Sequence, residues 1–131
     1  SYHDILIGGS KFQYLKGREI TLEELKNLPW ISLTSGSITR DFLNRYFASQ
    51  GLTFDPNIEL ATTDMILPAI RHNLGIGFVP TEFASEDLRR EAVFEITIAE
   101  KLPERNIFLV YDTEYPQSIA AKTFQQFLLR S

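Results

Sequence analysis

The sequence has no cysteine, which excludes disulfides, thiolate zinc sites and cysteine nucleophiles within its 131 residues. It fits a reducing cytosol. Histidine is nearly as scarce. His3 and His72 are far apart and have no ligand spacing to each other or to a carboxylate cluster, so no metal site and no acid–base pair is legible. Positive charge is thin and scattered: 13 Lys and Arg stand against 17 Asp and Glu, the net charge is -4, and Arg89-Arg90 is the only adjacent basic pair. A nucleic-acid surface normally shows a basic stripe, so direct DNA contact by these residues is not expected. No apolar run approaches a membrane span, and no signal peptide, internal repeat or low-complexity tract is visible. There is no GxSxG, no phosphate loop and no Ser-His-Asp arrangement. No catalytic residue and no cofactor site is read.

What is present is a core. Apolar residues make up 44%, and ten Phe against one Trp point to dry packing rather than to a base- or sugar-stacking surface. The length suits one ordinary domain.

Strand and helix signals alternate along the chain. Residues 2–7 read as a strand closed by Gly8-Gly9. Residues 20–27 read as a short helix, with Thr21 as N-cap and Glu24 completing a capping box. Pro29 stops it, and residues 30–33 read as a strand. The turn of residues 34–39 feeds a helix over 40–50, where Phe42, Leu43, Tyr46 and Phe47 form a stripe and Gly51 is the stop. Residues 58–61 form a strand. Residues 64–73 form a helix apolar on most faces, with Pro68 near its first turn. Gly75 reads as a helix stop, Gly77 as a close backbone approach, and Phe78-Val79 as strand. A helix over 81–91 capped by Thr81, strands at 93–98 and 106–111, and a closing helix from Pro116 complete the order. Strands alternating with helices give an α/β fold with a mainly parallel sheet flanked by helices.

The segment of residues 60–80 is the most informative. It supplies a polar helix start, an apolar helix and a buried strand, and no group able to do chemistry. Thr62 and Thr63 open its helix, and Asp64 suits the first turn, its carboxylate expected to point away from an anion. Thr34, Ser35, Gly36, Ser37 and Thr39 lie between a strand and a helix, where open α/β sheets bind ligands and free N–H groups favour an anion. Both sets read equally as ordinary helix caps. Phe78 and Val79 end a strand and are candidates to line a cleft. Arg40 is a candidate carboxylate partner, with a solvated first-turn arginine as the plainer reading. Gly75 and Gly77 are not a dinucleotide loop, because the order is helix, glycine, strand. The acidic pairs Glu23-Glu24 and Glu86-Asp87 read as solvated faces.

Three motifs carry a family resemblance. They are residues 20–31 (ITLEELKNLPWI), residues 37–42 (SITRDF) and residues 74–80 (LGIGFVP), with residues 106–111 (NIFLVY) and the closing helix in support. In this order the chain resembles the effector-binding domain of LysR-type transcriptional regulators. The resemblance implies a periplasmic-binding-protein-like type II fold: two α/β lobes with a ligand cleft between them. It makes residues 1–9 a crossover strand and residues 10–92 the second lobe. Residues 93–131 become the return segment and the last elements of a largely missing first lobe. The family's helix-turn-helix, linker helix and first effector subdomain are not in this sequence, which makes it an N-terminally shortened piece.

The implied function is sensing, in a bacterial, cytoplasmic regulator and without catalysis. A small anionic metabolite, such as a carboxylate, would lie against Thr34, Ser35, Gly36, Ser37, Thr39, Thr62, Thr63 and Phe78. The implied partners are this effector, further copies in a dimer or tetramer, and DNA only through the missing N-terminal domain. Core packing competes with a subunit contact for the apolar stripes of residues 42–47 and 65–70. Two alternatives remain: a transporter's solute-binding protein, and an enzyme on the same architecture. Residues 37–40 resemble the Thr-Arg-Phe motif of prephenate dehydratases, with Asp41 interrupting it.

Overall fold

A computed structural model describes residues 3–105. The strand expected at residues 106–111 and the closing helix lie outside these described residues. The described elements are β1 (Asp4–Gly8), a 3₁₀ helix (Ser10–Leu15), β2 (Glu19–Ile20), α1 (Leu22–Leu25), β3 (Ile31–Leu33), α2 (Ile38–Ser49), β4 (Ile58–Leu60), α3 (Thr63–Arg71), β5 (Gly77–Pro80), α4 (Thr81–Arg89) and β6 (Phe94–Ile98).

Four strands pair in the order β2-β6-β1-β5, and β3 pairs with β4. A parallel bridge from Trp30 to Ile76 joins the two sets. β1 runs antiparallel to both β5 and β6, while β2–β6 and β3–β4 are parallel. Among the described strands, five therefore point one way and β1 is reversed. The sheet is mixed and mainly parallel. β1 and β6, the segments the resemblance assigns to crossing and return, both pair within this sheet.

Side chains alternate across the strands, and the core divides accordingly. Leu6, Trp30, Ile76 and Phe78 join one buried cluster with Phe12, Leu22, Leu43, Tyr46 and Phe47. Ile7, Ile31 and Val79 join the other with Ile66, Ile70 and Ala84. The 3₁₀ helix, α1 and α2 thus cover one face, and α3 and α4 the other. The first cluster is dry aromatic packing: Trp30 stacks on Phe78 with centroids 5.7 Å apart, and Phe47 stacks on Phe54 at 4.6 Å. The stripe of α2 packs inward through Leu43, Tyr46 and Phe47, and that of α3 through Ile66, Ala69 and Ile70. Met65 is left 48% exposed.

The Thr21–Glu24 capping box forms as expected. Its helix is shorter than expected, because Ile20 pairs with Ile98 as part of β2. Gly51 ends α2 in the left-handed region, φ 76. Gly75 does not end α3. Asn73 does, at φ 66, its N–H bonding to Ile70 O while Leu74 N–H bonds to Ala69 O. Gly75 is needed for contact instead, since a Cβ there would lie 2.7 Å from Pro29 O. α4 begins after Pro80, which takes the cap position expected for Thr81. Asp87 is not on a solvated face either: it is buried and accepts from Arg71 Nε at 2.8 Å, tying α3 to α4.

Candidate functional site

β3 and β4 run parallel in register, Leu33 opposite Leu60, so the loops that follow them emerge side by side. A hydrogen bond ties the loops together: Thr34 N–H donates to Leu60 O at 3.1 Å. The first loop turns through Gly36 at φ 94 into α2, and the second runs through Thr62 into α3. β5 shares the direction of β3 and leads into α4. Three helix N-termini, with Ser37, Thr62 and Pro80 as caps, therefore line the carboxyl edge of one sheet. Each brings N–H groups and the positive end of a helix dipole to that edge.

Among the eight sequence-derived residues, Thr34, Ser35 and Gly36 are exposed, and Ser37 and Thr62 are half-buried. Ser37 acts as a cap, its Oγ accepting from Arg40 N–H at 3.0 Å. Thr62 occupies the cap position of α3 but makes no side-chain cap bond; its carbonyl accepts from Met65 N–H instead. The other three are buried: Thr39 is 8% exposed, Thr63 3% and Phe78 5%. Phe78 is part of the aromatic core against Trp30 rather than lining the described surface. The Thr39 hydroxyl accepts from Arg105 Nη1 at 2.8 Å.

The two arginines at this edge are committed to protein partners. Arg40 is neither solvated nor presented to a ligand. Its Nη1 donates to Leu33 O at 3.0 Å and Glu59 Oε2 at 2.9 Å, and its Nε to Asn44 Oδ1 at 3.1 Å. Arg105 grips Asp4 with both edges of its fork, Nε to Oδ2 at 2.9 Å and Nη2 to Oδ1 at 2.8 Å. Burial pushes the Asp4 carboxyl above its ordinary range, and the Arg105 charge and hydrogen bonds only partly pull it back. This pair was not legible in the sequence, because 101 residues separate its members and neither belongs to a motif. With Thr39 and Arg40 so engaged, the dehydratase-like motif is not displayed as a substrate-binding pair.

A model of the LysR substrate binding domain matches residues 6–131. The chain belongs to the LysR substrate-binding domain family. This LysR domain is 28% identical to the HTH-type transcriptional activator CmpR of Synechocystis over 95% of its length and 41% of the activator's. It is 27% identical to the uncharacterized HTH-type transcriptional regulator YeiE of Escherichia coli K12 over 80% of its length and 36% of that protein's. It thus spans about two fifths of these curated relatives. In fold it resembles the regulatory domain of Synechocystis CcmR in complex with 2-PG, with a TM-score of 0.71 at 19% identity, covering 98% of this chain and 62% of that one. It also resembles the effector binding domain of QuiR in complex with shikimate, with a TM-score of 0.67 at 16% identity, covering 98% and 60%. The family and these curated relatives are transcriptional regulators.

A groove of about 230 Å³ on the LysR domain, bordered by Gln13, Lys16, Leu88 and Glu95, lies at the opposite, amino edge of the sheet. It includes none of the eight residues. His3 pairs with Glu104 at 3.2 Å, and His72 is exposed at the end of α3. No described helix is long and apolar enough to cross a membrane.

Proposed function

We propose that this LysR domain senses a small anionic metabolite, held at the carboxyl edge of the sheet between residues 34–37 and Thr62-Thr63. The carrying observation is the Thr34–Leu60 hydrogen bond, which joins two loops at the N-termini of α2 and α3 into one cradle. Thr34, Ser35 and Thr62 supply hydroxyls, and Gly36 leaves its backbone open to close approach. Ser37 holds the helix start in place. Thr39 and Thr63 lie buried in the first turns of α2 and α3, and Phe78 packs in the core against Trp30. Structural neighbours in complex with 2-PG and shikimate support a small-ligand reading. Residues 10–92 act as one lobe, entered through residues 1–9 and left from residue 93. A first lobe closes the cleft, and closure biases the arrangement of a dimer or tetramer whose DNA contacts lie in another region. The ligand shifts that balance only by its different affinity for the two arrangements.

The test is a thermal-shift and calorimetric screen of small carboxylates and 2-PG on the full-length protein. A ligand at a hundredfold excess over Kd stabilises the folded state by about 2.7 kcal/mol. A Ser35→Ala, Thr62→Ala double variant should lose that shift. Absence of any binder, or a binder indifferent to the double variant, overturns the site.

A further inference from the structure

We propose that Arg105 is a positioning residue for this cradle, fixing the first turn of α2 to the start of β1 and to the segment that follows β6. The proposal rests on the cradle reading above. One guanidinium makes three kinds of contact. Its fork clasps Asp4 at 2.8 and 2.9 Å, the start of β1. Its Nη1 donates to Thr39 Oγ1 at 2.8 Å, two residues after the Ser37 cap. Its plane lies over the Phe42 ring, 5.1 Å from the centroid, one turn further along α2. The side chains of Arg105 and Asp4 are only 10% and 2% exposed, so the joint is dry and the planar fork has one orientation available. Beside it the exposed His3 and Glu104 side chains approach to 3.2 Å.

A buried ion pair adds little net stability over apolar packing of the same shape. What this one adds is direction. On the reading above, Asp4 and Arg105 lie on the segments that enter and leave the lobe, and Thr39 belongs to the helix whose start forms half of the cradle. A change in the angle of either segment is delivered to α2 through a two-point clasp and one hydrogen bond. The clasp reaches β1 through Asp4, and the hydrogen bond and ring contact reach α2 through Thr39 and Phe42.

The experiment compares Arg105→Gln, Arg105→Lys and Thr39→Val in the full-length protein. The first arm is amide exchange at Arg40 and Asp41, whose N–H groups bond to Ser37, against Met65, whose N–H bonds to Thr62. Arg105→Gln and Thr39→Val should speed exchange at Arg40 and Asp41 about tenfold and leave Met65 within about twofold. Arg105→Lys keeps the charge without the fork and should fall between. The second arm measures the Kd of 2-PG, or of whichever carboxylate shifts the parent; it should weaken in step with the first arm. Equal acceleration at Met65, or none at Arg40 and Asp41, overturns the proposal, since a purely structural pair loosens both helix starts alike. If Arg105→Gln fails to fold, Thr39→Val, which spares the ion pair, carries both arms. If the parent binds nothing in the panel, the cradle reading fails and the exchange arm alone decides the positioning role.

Discussion

Arg40 and Glu59 stand 2.9 Å apart across α2 and β4, the arginine side chain 8% exposed and the glutamate 43%. The asymmetry predicts unequal losses. Glu59→Gln removes a half-solvated charge and retains an acceptor, and should cost about 1 kcal/mol. Arg40→Ala also strands the Leu33 carbonyl and empties a buried volume beside Phe54, and should cost about 3 kcal/mol. Urea denaturation of the two variants measures both. Equal losses would mean that the ion pair, rather than the buried guanidinium, holds α2 to the sheet.

Two glycines separate crowding from conformation. At Gly77 an added Cβ would sit 2.7 Å from Ile31 O, a backbone atom between two paired strands. Gly77→Ala should therefore cost about 2 kcal/mol or more through forced separation of β3 and β5. Gly36 has open space around it but φ 94. Gly36→Ala should cost only about 1 kcal/mol from the left-handed backbone, while distorting the cradle turn. Melting temperatures rank the two, and the reverse order would contradict this geometry.

Asp4 sets a pH dependence whose sign is opposite to that of an ordinary salt-bridged carboxylate. Its folded pKa lies above the ordinary 3.8, with burial the largest cause. The folded state then holds the proton more tightly than the unfolded state, so this group's contribution to stability is fully present below 3.8 and is lost as pH rises through the folded value. A carbon-detected NMR titration should place the Asp4 midpoint above 3.8. The stability difference between parent and Asp4→Asn should shrink across the same window and flatten above it. A midpoint below 3.8 would show that the Arg105 clasp outweighs burial.

Local chemistry was legible in the sequence, and long-range chemistry was not. The capping box at Thr21, the stop at Gly51 and the close approach at Gly77 each depend on neighbours within a few residues or on the absence of a side chain. The strand–helix alternation likewise gave the mainly parallel sheet, but not the reversal of β1 within it. The 3₁₀ helix and β2 escaped notice because residues 10–20 have neither helical nor alternating periodicity; Ile20 becomes strand only by pairing with Ile98. Gly75 looked like a helix stop because it follows an apolar run, yet Asn73 takes the left-handed position and Gly75 answers to Pro29, 46 residues away in sequence and in contact only after folding. The polar turns were found from their composition, but composition could not tell an exposed hydroxyl from a buried one. Thr34 and Thr39 have the same side chain and opposite environments. Nor could it pair Arg40 with Glu59 or Arg105 with Asp4.

Ser37 and Thr62 occupy equivalent cap positions on α2 and α3 and differ in one contact, which allows capping and ligand binding to be told apart. Ser37 Oγ accepts from Arg40 N–H at 3.0 Å, so Ser37→Ala should cost about 1 kcal/mol of stability. Thr62 makes no side-chain cap bond, so Thr62→Ala should leave stability within about 0.5 kcal/mol of the parent. If its hydroxyl instead faces the effector, one hydrogen bond to a charged ligand is worth about 1.5–3 kcal/mol, and Thr62→Ala should weaken the Kd by roughly tenfold to a hundredfold. Denaturation and calorimetry on the same two samples check the crossover. A Thr62→Ala variant that loses as much stability as Ser37→Ala, or that binds the effector as the parent does, would return Thr62 to a plain helix start and remove one wall of the cradle.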